Sequence, residues 1–143
     1  LAVDALFGFR GRWTLMRNPA TRPELMEAAH ALLATGGDKV TLINDSPGFV
    51  AQRIVAAIVN IGTDMAQQRI ARPEDLDRAV ELGLGYPRGP LRLGQELGPR
   101  RILDILQNIH AFYGDPRYRA SPWLKRRALL GLDLSAGEGD AKT

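Results

Sequence analysis

The sequence predicts a mainly α chain, a multi-helix domain preceded by a short strand-helix-strand unit. Residues from about 13 to 45 read as two short strands around one helical stretch, the second of them β-branched. At Ser46-Pro47 the pattern changes to apolar residues every three or four positions. From Pro73 onward, segments punctuated by Gly and Pro repeat that period. The boundaries that follow are a lead-in over 1–45, a helical domain over 46–133, and a small, polar, Gly-containing tail over 134–143 expected to be disordered.

Taken in order, Leu1–Phe7 reads as a strand that begins abruptly, and Gly8–Arg12 as a turn. Trp13–Arg17 is a second strand, closed by Asn18-Pro19 because proline cannot continue a ladder. Thr21 and Glu24 have capping-box spacing, with Pro23 in the first turn, so a helix is predicted to about Thr35, where Gly36-Gly37 ends it. Lys39–Asn44 is a β-branched strand. This strand-helix-strand is of about minimal length for a parallel crossover and cannot bury both faces alone.

Ser46 as N-cap and Pro47 at the first helical position predict that the long helix starts there and runs to about Ile70. Val50, Ile54, Ile58, Ile61 and Met65 form its apolar stripe, with Gln52, Asn60, Asp64 and Gln67 opposite. Small residues beside the stripe (Ala56, Ala57, Gly62, Ala66) suit close helix packing, within a bundle or across a dimer. The next helix runs from Pro73 to Gly83, with Glu74, Asp75 and Asp77 assigned to its dipole. A Gly/Pro loop over 83–90 leads to helices at about Pro90–Leu97 and Pro99–Tyr113, and Ser121-Pro122 opens a last helix to about Leu132.

Composition limits function. The 143 residues contain no cysteine, which excludes disulfide and thiolate chemistry, and 45% hydrophobic with 24% charged residues is typical of a globular protein. No apolar run approaches the roughly 20 residues of a membrane span, and Leu1–Phe7 is too short for a signal peptide. The expectation is a soluble, cytoplasmic protein with no membrane partner. Net charge is +3, but Arg88–Arg127 holds nine basic residues against three acidic ones. That excess reads either as a phosphate-meeting patch or as a rim whose arginines pair with carboxylates.

No complete catalytic constellation is present. Gly83-Leu84-Gly85 with Gly89 misses the dinucleotide fingerprint in spacing and lies between helices. His30 and His110 lie mid-helix without metal-spaced companions, so no metal site is expected. Trp13, Tyr86, Tyr118 and Trp123 are scattered rather than arranged for base stacking, so no nucleic-acid partner is expected. Gln52 and Arg53, in the first turns of the long helix, either face a ligand or are solvated.

The segments SPGFVAQR (Ser46–Arg53) and RPEDLDRAVELGLGYPRGPL (Arg72–Leu91) resemble the hallmarks of the C-terminal helical domain of 3-hydroxyacyl-CoA dehydrogenases, where D-T/S-P-G-F-x-x-N-R opens one helix and G-x-G-Y-P-x-G-P follows the next. Trp13–Asp45 is similar to the end of that family's dinucleotide-binding domain, and Asp115–Leu132 to the segment closing the helical domain. The resemblance implies NAD-dependent oxidation of an L-3-hydroxyacyl-CoA to the 3-ketoacyl-CoA, with a His/Glu pair removing the hydroxyl proton. The family's glycine fingerprint, its His-x-x-Asn-Pro segment and its closing Gly-Lys-Thr-Gly-x-Gly-Phe-Tyr element have no counterpart here, and its catalytic asparagine is replaced by Gln52.

These departures suit the second, degenerate helical copy of a long tandem-domain enzyme, and the abrupt start at Leu1 agrees with a fragment. The implied role is to pack against a sibling helical domain or a homodimer partner and to complete an acyl-CoA cleft. The fragment itself is expected to bind no NAD and to be inactive alone. Gln52, Arg53, Tyr86 and Arg88 are the substrate-cleft candidates, and Val50, Ile54, Ile58, Ile61 and Met65 the interface candidates. No catalytic residue is assigned. Such enzymes are similar to those of phenylacetate and fatty acid breakdown by β-oxidation.

Overall fold

The chain divides into two compact units, Leu1–Ala51 and the residues from Gln52 onward. The computed structural model describes residues 1–8 and 11–137.

In the first unit, β2 (Arg12–Met16) is the central strand of three. It pairs parallel with β3 (Lys39–Ile43) and antiparallel with the two-residue β1 (Ala2–Val3). The crossover between the parallel strands is α1 (Pro23–Ala34). Side chains fix the register: Trp13 Nε1 donates to Asp38 at 3.0 Å, and Arg17 donates to Asn44 Oδ1 at 2.9 and 3.2 Å. Leu6, Leu15, Met16, Met26 and Phe49 are buried in this unit.

Two local expectations fail here. The capping box does not form, because the Thr21 hydroxyl is taken by Asn18 in a closed turn, and Arg22 is the N-cap with no side-chain bond. The long helix does not begin at Ser46-Pro47 either. Gly48 takes φ +81°, a left-handed turn, and α2 (Val50–Gln67) starts beyond it. Nor does the helix reach Ile70. Arg69 adopts φ 55°, its N–H donates to Ala66 and that of Ile70 to Met65, the paired bonds of a Schellman stop with arginine where glycine is usual.

The second unit contains most of α2, then α3 (Pro73–Leu84), α4 (Pro90–Leu97), α5 (Pro99–Tyr113), a 3₁₀ turn (Pro116–Tyr118) and α6 (Pro122–Leu130). Helices α3 to α6 each carry proline in the first turn, where its missing N–H costs nothing. Glycines in left-handed conformation at 85, 114 and 131 stop α3, α5 and α6. The core consists of Val55, Ala56, Val59 and Ala66 from α2 with Leu76, Leu91, Ile102, Leu103, Leu106, Ile109, Trp123, Leu124 and Leu134.

Two glycines set the approach of α2 to α4. A Cβ on Gly62 would come within 2.6 Å of the Pro90 ring, and one on Gly94 within 2.6 Å of Val59 and 2.9 Å of Leu134. The helices therefore meet through the smallest side chain on each.

The tail drawn at 134 from composition does not begin there. Leu134 is fully buried, its N–H donates to Gln95 Oε1 at 3.0 Å, and its carbonyl accepts from Trp123 Nε1 at 3.0 Å. Arg127 lies over the Trp123 ring, 3.2 Å from its centroid, and donates to the carbonyls of Asp133 and Ala136. Apolar burial of one leucine outweighs the polar composition around it. The remainder of the expected tail, 138–143, lies outside the described residues.

Candidate functional site

Arg53, one residue past Gln52 in the first turn and a half of α2, is the centre of an aromatic cluster. Its guanidinium donates to the Tyr118 hydroxyl at 2.8 Å and to the Tyr113 hydroxyl at 3.3 Å, and its carbon lies 5.5 and 5.1 Å from the two ring centroids. The rings stack on each other at 6.2 Å. Both hydroxyl bonds, Tyr113 foremost, raise the Arg53 pKa further above its ordinary value, so it is a fixed positive charge.

Tyr118 reaches this position because the chain turns sharply after α5. Gly114 takes φ 67°, and the Asp115 carboxylate caps the 3₁₀ turn by accepting the Arg117 N–H at 2.9 Å and its guanidinium at 2.6 and 2.8 Å. The Arg117 guanidinium holds the Asp115 carboxyl below the usual carboxylate range. His110 Nδ1 lies 2.9 Å from the Asp115 carbonyl, a contact that orients the ring toward the turn. Together, Arg53, Ile54, Ala57, Asn60, Ile61, Arg117 and Tyr118 line an open groove of about 510 Å³. A fixed guanidinium and two stacked phenol rings give the cluster hydrogen-bonding groups and an aromatic face with which to bind and orient a ligand.

Two turns beyond Arg53 on α2, Asn60 bridges the segment before α6. Its amide donates to the Arg119 carbonyl at 3.0 Å and accepts the Ser121 N–H at 2.8 Å. Buried Thr63 meets the Ser121 hydroxyl at 2.8 Å, and that hydroxyl caps α6 by accepting the Leu124 N–H. These bonds hold the groove wall against α2.

The other two cleft candidates sit on the loop between α3 and α4 and are held by different partners. Arg88 donates to Glu96 at 3.2 Å and to the Pro87 carbonyl, while Tyr86 is 38% exposed. What builds this loop is Asp77, assigned from sequence to the α3 dipole. It is instead almost wholly buried, and its two oxygens accept the N–H groups of Leu91 and Arg92 at 2.8 and 3.0 Å, capping α4 from a neighbouring helix. Glu81 adds the Gly89 N–H at 2.8 Å and Arg92 at 3.2 Å. A Cβ on Gly89 would collide with the Asp77 backbone, which is why glycine stands there. Glu74 and Asp75, by contrast, pair with Arg72 at the start of α3.

Of the nine basic residues between Arg88 and Arg127, four meet carboxylates, Arg88 with Glu96, Arg92 with Glu81, Arg100 with Asp104 and Arg117 with Asp115. Among the described residues no group of three or more His, Cys, Asp or Glu could hold a metal ion. No helix among them is long and apolar enough to cross a membrane.

A dinucleotide does not fit the first unit as built. Its pyrophosphate needs glycines where a strand turns into a helix, so that backbone N–H groups approach closely. The turn from β2 to α1 is Arg17-Asn18-Pro19-Ala20-Thr21-Arg22, without glycine, and Asn18 and Thr21 close on each other across it.

The candidate interface stripe lies almost opposite the face that α2 buries. Val50, Ile54 and Ile61 are 56%, 55% and 62% exposed, and Ile58 and Met65 are half-buried. The helix is thus apolar on two faces, and polar only along narrow edges.

The family model described as "3-hydroxyacyl-CoA dehydrogenase, C-terminal domain" matches residues 48–142. The chain belongs to this family. It is 45% identical over 94 residues to the 3-hydroxyadipyl-CoA dehydrogenase of Escherichia coli, covering 66% of this chain and 20% of that protein. A probable 3-hydroxybutyryl-CoA dehydrogenase of Bacillus subtilis is 32% identical over 126 residues, covering 87% and 44%. The crystal structure of 3-hydroxybutyryl-CoA dehydrogenase from Escherichia coli superposes with TM-score 0.79 at 38% identity, covering 84% of this chain and 25% of that one. The chain therefore spans less than half the length of these dehydrogenases, and its family's helical domain accounts for the arrangement of α2 to α6.

Proposed function

We propose that the chain is the C-terminal part of an NAD-dependent enzyme that oxidises an L-3-hydroxyacyl-CoA to the 3-ketoacyl-CoA. Its role is to pack against a sibling helical domain or a second copy and to complete the acyl-CoA cleft. The reading is supported by the family match and by the departures within it: Gln52 stands where the resembled motif has asparagine, and the glycine fingerprint of a dinucleotide site does not occur in the 143-residue sequence. The pathway, breakdown of phenylacetate-type or fatty acyl-CoA esters in the cytoplasm, is inferred from the resemblance and from relatives named as 3-hydroxyadipyl- and 3-hydroxybutyryl-CoA dehydrogenases.

One observation carries the packing role. Exposed Val50, Ile54 and Ile61 follow one another along α2, and a helix apolar on both faces is stable in water only when both are covered. Ile61→Asp, at a 62% exposed position, should leave the fold intact. Size-exclusion chromatography with light scattering is expected to show a dimer for the native chain and a monomer for the variant. The same mass for both would overturn the packing role.

A further inference from the structure

We infer that the outer face of α6 and the turn after it form a peripheral contact with an anionic lipid surface, made by Lys125 and Arg126 beside Leu129, Leu130 and Leu132. This face lies on another element than the α2 stripe, so it stands independently of the proposed packing role. No described helix is long and apolar enough to cross a membrane, and a surface contact needs none.

The face follows from how α6 is anchored. Trp123 and Leu124 are buried, and Arg127 is drawn over the Trp123 ring and onto the carbonyls of Asp133 and Ala136. At about 100° per residue, these fixed positions leave Lys125, Arg126, Leu129 and Leu130 on one outward arc. Lys125 sits one turn before Leu129, and Arg126 one turn before Leu130. Gly131 then turns the chain at φ 69°, and Leu132 follows. Leu129, Leu130 and Leu132 are 57%, 70% and 52% exposed, and both cations are exposed beside them.

Charge names the partner. No Asp or Glu occurs between Asp115 and Asp133, while Arg117, Arg119, Lys125, Arg126 and Arg127 do. Arg117 is taken by Asp115, and the Asp133 carboxylate by the Ser135 N–H at 2.7 Å. Lys125 and Arg126 pair with no carboxylate among the described residues. Uncompensated cations next to exposed leucines call for a partner with anionic groups over an apolar interior. A lipid surface supplies both, since its headgroups meet the cations at the depth where leucines reach the acyl boundary. A protein partner needs more contact than this: a stable interface takes roughly 20–30 residues a side, far beyond two cations and three leucines.

Co-sedimentation of the full chain with lipid vesicles tests the contact. Phosphatidylcholine vesicles holding about one-third phosphatidylglycerol should carry the chain down at low salt, and pure phosphatidylcholine vesicles should not. Lys125→Gln and Arg126→Gln should each lower the partition coefficient about fivefold. Leu130→Gln, at the most exposed of the three leucines, should lower it about tenfold. Arg22→Gln, an exposed arginine of the other unit, should leave it unchanged. Every substituted position is exposed, and circular dichroism matching the native chain checks that each variant is folded. Equal binding to both vesicle types, binding to neither, or anionic binding that Leu130→Gln does not weaken overturns the inference. A vesicle-free dimer that Leu130→Gln splits also overturns it, because the face is then a protein contact.

Discussion

Asp77 shows how much one buried carboxylate can organise. Burial pushes its carboxyl above the ordinary 3.8, against the opposing effect of the bonds from Leu91 and Arg92. A folded pKa above the unfolded one means that the folded chain holds the proton more tightly. The stability from that titration is therefore complete below the unfolded value and is lost as pH rises through the folded one. Asp77→Asn has no such titration, and its amide nitrogen cannot accept a second N–H, so the variant should lose about 1–3 kcal/mol at low pH. The gap in urea midpoint between native chain and variant should then narrow as pH rises above the ordinary 3.8. A gap that widens instead would show that the two N–H bonds outweigh burial. Asp77 and Arg53 were both visible in the sequence as a charge on a helix, but their partners were not. Leu91 lies fourteen positions from Asp77, and Tyr118 sixty-five from Arg53, distances that helical periodicity does not report.

Among the elements, the ends of helices separated legible from illegible features. α4 and α5 begin and end where the proline and glycine signals place them, because no tertiary contact competes there. The start of α2 shifts because Gly48 prefers a left-handed turn to a helical one, and the Thr21 cap fails because Asn18 offers a closer partner. Periodicity found an apolar stripe on α2, but the face that enters the core is the one with small residues, Ala56, Gly62 and Ala66. Which of two apolar faces turns inward depends on what it meets, and Gly62 meets a rigid proline ring. Gly62→Ala would gain about 1 kcal/mol of helix propensity in isolation. Against Pro90 at 2.6 Å, the added methyl should cost more than it gains, an overpacking penalty of about 1–3 kcal/mol. A lower thermal midpoint is the expected result, and a higher one would mean that α4 moves away freely.

At the scale of the molecule, the fold class and the family were readable from two short motifs, because each encodes a backbone turn that only glycine and proline build. The cleft was not. Gln52 and Arg53 sit on α2 while Tyr86 and Arg88 sit on the loop that Asp77 and Glu81 hold, and each pair is tied to its own partners. Under the proposed function the cleft is shared with the rest of the enzyme, which would leave no complete pattern within these residues. Isothermal calorimetry with NADH, and then with acetoacetyl-CoA, tests the proposed dependence on a parent enzyme. Heats indistinguishable from dilution are expected for NADH, and micromolar binding would instead make the chain a self-sufficient nucleotide binder.

Leu134 has a practical meaning for anyone dividing this protein. It is a plug: its side chain fills the hollow beside Gly94, and its backbone is fastened to Trp123 and Gln95. Cutting the chain at 133, where composition alone draws the edge, would uncork the helical unit. Emptying a leucine-sized hole typically costs about 2–5 kcal/mol, a large share of what holds a domain of this size together. Leu134, set in a polar-looking stretch, is the stopper of the vessel rather than its label.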